Sequence, residues 1–537
     1  MIILYLIFII SILFCLKNKS KRYLHMLQQN LYNENNRYFK WLYKNKGELI
    51  DIDIINIFLA LVGFAFISDI KNLSVATIIA ITIIYFALGG IWKKRLANIK
   101  DKKPLVITAR VKRLIITTSI LYLIPTVFMF INYTNIKNSF LFIFILAICI
   151  FLNPIMVFIA KVINTPIEKC VYYYYMNKAK KKLKSMTNLK VIGITGSYGK
   201  TSSKNILSDI LNIKYDALPT PRNLNTPNGL MITINNHLDK FNDVFIAEMG
   251  AYVVGEIKEL CDLVHPKYGI LTKIGTAHLE SFGSEENIIK GKFELIESLP
   301  SDGFAILNGD DEKQVNYKLK NKVRTIWIGI NNHDVDVLAS DIKCSNKGTS
   351  FNVMLKGDKK KYAFETKLLG DHNVYNILAG IACGVEFGIS IEQLQQAVKS
   401  VRPIEHRLEL KKISNYYMID DAYNSNPVGA ENAVKVLKMM PGIKVVVTPG
   451  MIELGEKEDY YNEKFGEQIA SSADYVVLIG KEKTKPIREG LEKMKFDKDK
   501  IVVFNDVRDA YPFIGQLTGK KDVYALFEND LPDTYSE

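Results

Sequence analysis

Five nearly unbroken apolar stretches stand at the front of this 537-residue chain, at roughly 1–16, 54–70, 74–92, 114–133 and 139–160. A helix needs about 20 mostly apolar residues to cross a bilayer; the last three stretches reach that length and the first two are short. The first has neither a preceding positive segment nor a small-residue cleavage site, so it reads as an uncleaved anchor. From about residue 188 the pattern changes. Short apolar runs such as KVIGIT, DVFIAEM and KVVVTPG alternate with amphipathic stretches, as strands and helices alternate in a parallel sheet. The expected fold class is therefore α/β behind a multi-pass helical membrane region. Its parts are the membrane region with about five transmembrane helices over 1–165, a basic linker over 166–187, a larger α/β unit over 188–401 and a smaller Rossmann-like α/β unit over 402–537. The segment VRTIWIG…SFNVML should add antiparallel strands late in the larger unit.

The net charge of +14 invites a nucleic-acid reading until it is located. Residues 1–190 carry 27 Lys and Arg against 7 Asp and Glu, leaving 43 against 49 in the rest. The excess thus belongs to the membrane-like part, where the 17–50 and 93–113 segments hold eight and nine basic residues. Positive loops stay in the cytoplasm, which places everything after 160 on that side, with the N-terminus outside and a lipid bilayer as partner. HMLQQNLYNENNRYFKWLYKNK mixes aromatic and basic residues, as a helix lying against anionic lipid does. No nucleic-acid partner is supported. Six scattered cysteines without a CxxC pair, and seven histidines without HExxH spacing, exclude a disulfide framework and a zinc signature.

The chemistry starts at GITGSYGKTS. Gly196 and Gly199 let the backbone approach an anion, with Ser197 and Ser202 flanking, while turn and helix-start N–H groups point at phosphates. Lys200 would reach the β/γ-phosphates of ATP and the Thr201 hydroxyl would ligate Mg²⁺. Ile194 stands where the longer form of this loop has its first glycine.

That shortened T-G-[ST]-x-G-K-[ST] loop resembles those of the Mur ligases and the folylpolyglutamate synthetases. Further blocks follow in the Mur order: EMGA with Glu248, GTAHLES with His278, the helix bearing Lys292, DHNVYN with Asn376, EHRLEL with Arg407, and DDAYNSNP with Asp420, Asn424 and Asn426. EMGA, DDAYNSNP and GMIELGE look most like the member that adds D-alanyl-D-alanine. The resemblance covers about 188–537 and implies ATP-dependent amide formation through an acyl phosphate. It gives Lys200 to the transferred phosphoryl group, Thr201 and Glu248 to one Mg²⁺, and His278 to a second. Lys292, with Lys290 as a rival, would be a carbamylated lysine. Asn376, Arg407, Asp420 and Asn424 would contact the nucleotide, and Asn223, Asn225, Thr226 and Asn426 the substrates. Read singly, the Asp-Asp turn is equally an Asx-capped helix start, and RNLNTPNGL a plain loop. GMIELGEKE (450–458) would lie near the incoming amine.

At the front the resemblance stops, because soluble members begin with a domain for the uridine-diphosphate sugar. The wall-peptide precursor could accordingly be nucleotide-linked or lipid-linked. Two alternatives stand beside D-alanyl-D-alanine addition: the same chemistry on a polyglutamate or another wall or capsule peptide, and an ATP-binding membrane scaffold without ligation.

Overall fold

Where they are described, the apolar stretches at the front form helices, because a continuous apolar segment in lipid satisfies its backbone only within itself. The computed structural model describes residues 2–30, 36–45, 75–98, 104–131, 136–422, 425–452, 457–519 and 521–529, with isolated positions at 32, 47, 57 and 454. Contacts divide the chain into two units, Met1–Tyr173 and Tyr174–Glu537.

The first unit holds α1 (Ile2–Gln29), α2 (Arg37–Lys44), α3 (Val75–Asn98), α4 (Ala109–Ile131), α5 (Ile136–Phe151) and the start of α6 (Asn153–Ser185). Phe8, Ile12, Tyr85 and Leu88 pack α1 on α3. Tyr38 and Leu42 bury one face of α2 in a second cluster with Tyr23, Trp92 and Val157, so the segment expected against lipid is partly covered by protein. Among the described residues one helix, Ala109–Phe128, is long and apolar enough to cross a membrane. The 139–160 stretch, expected as one span, is instead bent by 84° between Phe144–Phe151 and Asn153–Ser185, a pair that passes the same test only taken together. Pro154 explains the break: it has no N–H to continue the hydrogen-bond ladder of α5, and its ring would clash with the carbonyl four residues before it. The buried Asn153 amide there donates to Ser20 Oγ (2.8 Å) and Tyr122 OH (2.9 Å). The expected crossing at 54–70 lies outside the described residues apart from Ile57.

The second unit contains two sheets. The nine-stranded one has the order β2-β3-β1-β4-β5-β6-β7-β8-β9. It comprises β1 (Lys190–Thr195), β2 (Ala217–Pro219), β3 (Val244–Glu248), β4 (Tyr268–Leu271), β5 (Phe304–Asn308), β6 (Arg324–Gly329), β7 (Val337–Ser345), β8 (Gly348–Leu355) and β9 (Tyr362–Thr366). Its pairs are parallel as far as β6–β7, and β7, β8 and β9 then pair antiparallel. β1 and β3 are buried almost end to end, as strands covered on both faces are. The helices that position the site are α7 (Lys200–Leu211), α8 (Pro227–Asn236), α9 (Glu285–Glu297) and α10 (Asp371–Glu386). Ile206, Ile210, Ile377 and Ile381 lock α7 and α10 onto this sheet.

The six-stranded sheet runs β10-β11-β15-β12-β13-β14. Its strands are β10 (Glu409–Ile413), β11 (Tyr416–Asp421), β12 (Ile443–Thr448), β13 (Tyr475–Ile479), β14 (Ile501–Phe504) and β15 (Val523–Glu528), with α11 (Pro427–Lys438) leading away from β11. Only β10 is antiparallel to its neighbour.

Candidate functional site

The turn after β1 can be built only with glycine. Gly196 sits at φ 151°, where a Cβ would lie 1.9 Å from Thr272 Oγ1, and Gly199 at φ 83°. The N–H groups of Ser197 and Tyr198 donate to the Lys273 carbonyl (2.9 and 3.3 Å), and Ser197 Oγ donates to Gly275 O (3.1 Å). Two turn N–H groups expected to face phosphate are thus taken by the protein. The first-turn N–H groups of α7, which have no acceptor within the helix, remain to meet an anion. Lys200 Nζ folds over the turn, 2.8 Å from Gly196 O and 3.3 Å from Ser197 O. Burial lowers its pKa, Glu248 opposes that, and Arg407 adds to it.

Glu248 ends β3 almost fully buried, at 1% exposure. Its Oε1 accepts from Thr201 Oγ1 (3.2 Å) and Asn225 Nδ2 (3.1 Å), while its Oε2 lies 3.0 Å from Lys204 Nζ. A hydroxyl beside a carboxylate suits a hard cation such as Mg²⁺, so Thr201 and Glu248 fit the first ion. Sequence reasoning missed Lys204, which is buried on α7. A lysine in a helix reads as solvated, and only its place one turn beyond Lys200 hints otherwise.

His278 holds a left-handed backbone at φ 63°, and its ring meets Tyr252 edge-on, with centroids 4.5 Å apart. Burial, Lys200 and Lys292 push its pKa down to about 4, which keeps the imidazole neutral and free to donate a lone pair. Among the described residues, no group of three or more His, Cys, Asp or Glu side chains could hold a metal, so a second ion would depend on oxygens from elsewhere. Lys292 is 1% exposed on α9, with Ala251 O at 3.4 Å and the Phe282 ring 5.3 Å from Nζ. Burial and Lys200 lower its pKa to about 7. Its rival Lys290 points to solvent.

A cavity of about 370 Å³ opens beside the turn, lined by Gly199, Ser202, Asn376, Arg407, Asp421 and Asn426 among others. Asn376 is also a structural neighbour: its Oδ1 accepts from Ser203 Oγ (2.6 Å). The sequence pointed to Asp420, but successive residues of a strand face opposite ways, and of the two aspartates it is Asp421 that lines the cavity, together with Asp371 and Glu431. Asp420 Oδ2 lies 2.8 Å from both Lys411 Nζ and His406 Nδ1; these outweigh the effect of burial and lower its pKa. Asp421 is pushed up to about 6, chiefly by burial. Glu528, its register partner on β15, is raised by burial and by Asp421.

Of the residues assigned to substrates, Asn223 is exposed and Asn225 holds Glu248. Thr226 and Asn426 cap α8 and α11, accepting from Gly229 N (3.3 Å) and Gly429 N (3.0 Å). Asn424 lies outside the described residues, as do 453 and 455–456 of the loop expected near the amine.

Comparison with known proteins follows the same blocks. Residues 194–384 match the Mur ligase middle domain, and residues 406–527 match the Mur ligase, glutamate ligase domain. The UDP-N-acetylmuramoyl-tripeptide--D-alanyl-D-alanine ligase of Bacillus subtilis is 32% identical over 339 residues, 62% of this chain and 72% of that protein. The Escherichia coli protein of the same name is 31% identical over 296 residues, 55% of this chain and 65% of its own length. The crystal structure of MurF from Acinetobacter baumannii superposes with a TM-score of 0.60 at 26% identity, covering 67% of this chain and 77% of that one.

Proposed function

The chain belongs to the Mur ligase family, and on that premise we propose that it is an ATP-dependent ligase joining D-alanyl-D-alanine to a UDP-linked muramyl tripeptide, with the enzyme held at the cytoplasmic face of a membrane by its leading helices. The observation that carries the reading is the glycine turn, its lysine and the Thr201–Glu248 pair standing beside one cavity to which Arg407 and Asp421 also contribute.

ATP enters with its triphosphate at the start of α7. Lys200, already poised over the turn, swings from the Gly196 and Ser197 carbonyls to the γ-phosphoryl group, neutralising charge as it transfers. Thr201 and Glu248 would hold a Mg²⁺ that, when bound, would add charge neutralisation on the phosphates. The tripeptide carboxylate attacks the γ-phosphorus, giving an acyl phosphate and ADP. The amine of the dipeptide then attacks the acyl carbon and inorganic phosphate leaves with the C–O bond electrons, while the amine loses a proton. Arg407 and Asp421 border the nucleotide, and Asn223, Asn225 and Thr226 line the acceptor loop.

Lys292 supports the carbamate part of the proposal. An amine must be neutral to attack CO₂, forming the N–C bond and releasing one proton, and a pKa of about 7 leaves a large neutral fraction at cytoplasmic pH. The product is an anion suited to the second cation beside His278. Incubation with ¹³C-bicarbonate should give a carbamate carbon resonance that Lys292→Met lacks.

The membrane part of the proposal is supported by the Ala109–Phe128 helix and by the basic loops. The same helices favour a second reading, in which the acceptor is lipid-linked, because they occupy the chain ahead of the family match at residue 194. The test is phosphate release by detergent-purified full-length protein with ATP and Mg²⁺. UDP-muramyl-tripeptide and D-alanyl-D-alanine are supplied singly and together. Release needing both supports the first reading. Release only with a lipid-linked tripeptide supports the second, and ATP binding without turnover on any acceptor overturns both in favour of a scaffold.

A further inference from the structure

Lys204 is one of the most deeply buried lysines in the second unit, at 1% exposure, and the mechanism above gives it no task. Its ammonium makes two contacts that join separate parts of the site. It lies 3.0 Å from Glu248 Oε2, and it donates to the Arg222 carbonyl at 2.6 Å. Arg222 holds a left-handed backbone at φ 48° and opens the loop carrying Asn223 and Asn225. The same loop is laced to the end of β3 by Glu248 N donating to Thr220 Oγ1 (3.2 Å) and by Gly250 N donating to Asn225 O (2.9 Å).

Oε2 of Glu248 is therefore ion-paired with a buried cation, although it accepts no hydrogen bond among the described residues, and Oε1 is the oxygen beside the Thr201 hydroxyl. In a buried hub an ammonium at this distance cancels much of the carboxylate's attraction for a second cation. What is left, one oxygen of a compensated carboxylate and one hydroxyl, is too small a donor set for a divalent ion that seeks six oxygens. Nucleotide phosphates supply the missing charge.

We propose that Lys204 is a positioning residue that holds Glu248 to one-oxygen ligation, so that the site accepts a divalent cation only together with nucleotide, and that it ties this carboxylate to the acceptor loop. The proposal rests on the assignment of Glu248 as a metal ligand.

The probe is Mn²⁺, its binding to detergent-purified full-length protein read by electron paramagnetic resonance without turnover. Wild-type protein should bind Mn²⁺ at least tenfold more tightly with a non-hydrolysable ATP analogue than without; equal affinities overturn the proposal, whatever the variants do. Without nucleotide, Lys204→Met should bind Mn²⁺ at least tenfold more tightly than wild type, and Lys204→Met with Glu248→Gln should return to the weak wild-type value. A Lys204→Met affinity within twofold of wild type overturns the inference alone. Unchanged Mn²⁺–nucleotide binding by Glu248→Gln overturns the ligand assignment, and the inference with it.

Discussion

Replacing Lys292 with methionine should stabilise the ligase portion while abolishing its activity, and the gain should fade as pH rises. The ammonium of Lys292 is 1% exposed, and its pKa falls from 10.5 in a free lysine to about 7. Below pH 7 both the unfolded and the native chain hold the proton, and the native state bears the whole penalty, about 5 kcal/mol for a displacement of this size. Between 7 and 10.5 the unfolded chain still binds the proton and the native one does not, so wild-type stability rises with pH across this window. At pH 9 the remaining penalty is about 2 kcal/mol, and above 10.5 it is gone. Methionine has nearly the same length and no proton to lose, so Lys292→Met should gain several kcal/mol at pH 6 and almost nothing at pH 10.5. Urea unfolding in CO₂-free buffer, read by pulse proteolysis of the ligase portion, measures this without assuming that the two units unfold together. A variant no more stable at pH 6 than wild type, or a gain that does not shrink with pH, would refute the buried-amine argument.

Lys200→Ala should eliminate phosphate release while the protein still folds, because the side chain's two hydrogen bonds go to carbonyls of its own turn; release together with thermal melting of the purified protein checks both halves. Asp421→Asn should weaken ATP binding measured by calorimetry, whereas Asp420→Asn should leave ATP affinity near wild type and destabilise the fold by about 1–3 kcal/mol through Lys411 and His406. The reverse result would mean that the cavity-facing carboxylate has been chosen wrongly.

What could be read from the chain was local. The glycine turn and the strand running into Glu248 declare themselves through residues adjacent in sequence, because periodicity and special backbone angles are properties of short windows; the segment expected to be antiparallel from VRTIWIG onward is so only from β7, since β6 pairs parallel on both sides. What could not be read depended on phase or on distant partners. Two consecutive aspartates do not say which one faces the cavity until the pairing of β11 with β15 fixes the strand's faces. Lys204 acquires its meaning from Glu248, 44 positions later, and from a loop carbonyl. Thr226 and Asn426, expected at the substrates, make helix-capping bonds in the fold, and composition cannot separate the two roles. Pro154 was visible in the sequence, yet the length of the apolar run masked its effect on the 139–160 stretch.

The strand order of the six-stranded sheet bears on how the protein is made. β15, the last strand in sequence, lies between β11 and β12 and pairs with both. While a ribosome is still adding residues ahead of Val523, that sheet is split down its middle, and Asp421 lacks the strand that fixes its orientation. The nine-stranded sheet needs nothing beyond Thr366 for its own pairing and can close earlier, in keeping with domains that fold in the order of their synthesis. A nascent chain can thus carry a finished phosphate turn while lacking a complete nucleotide cavity, and it stays catalytically silent until translation has passed β15.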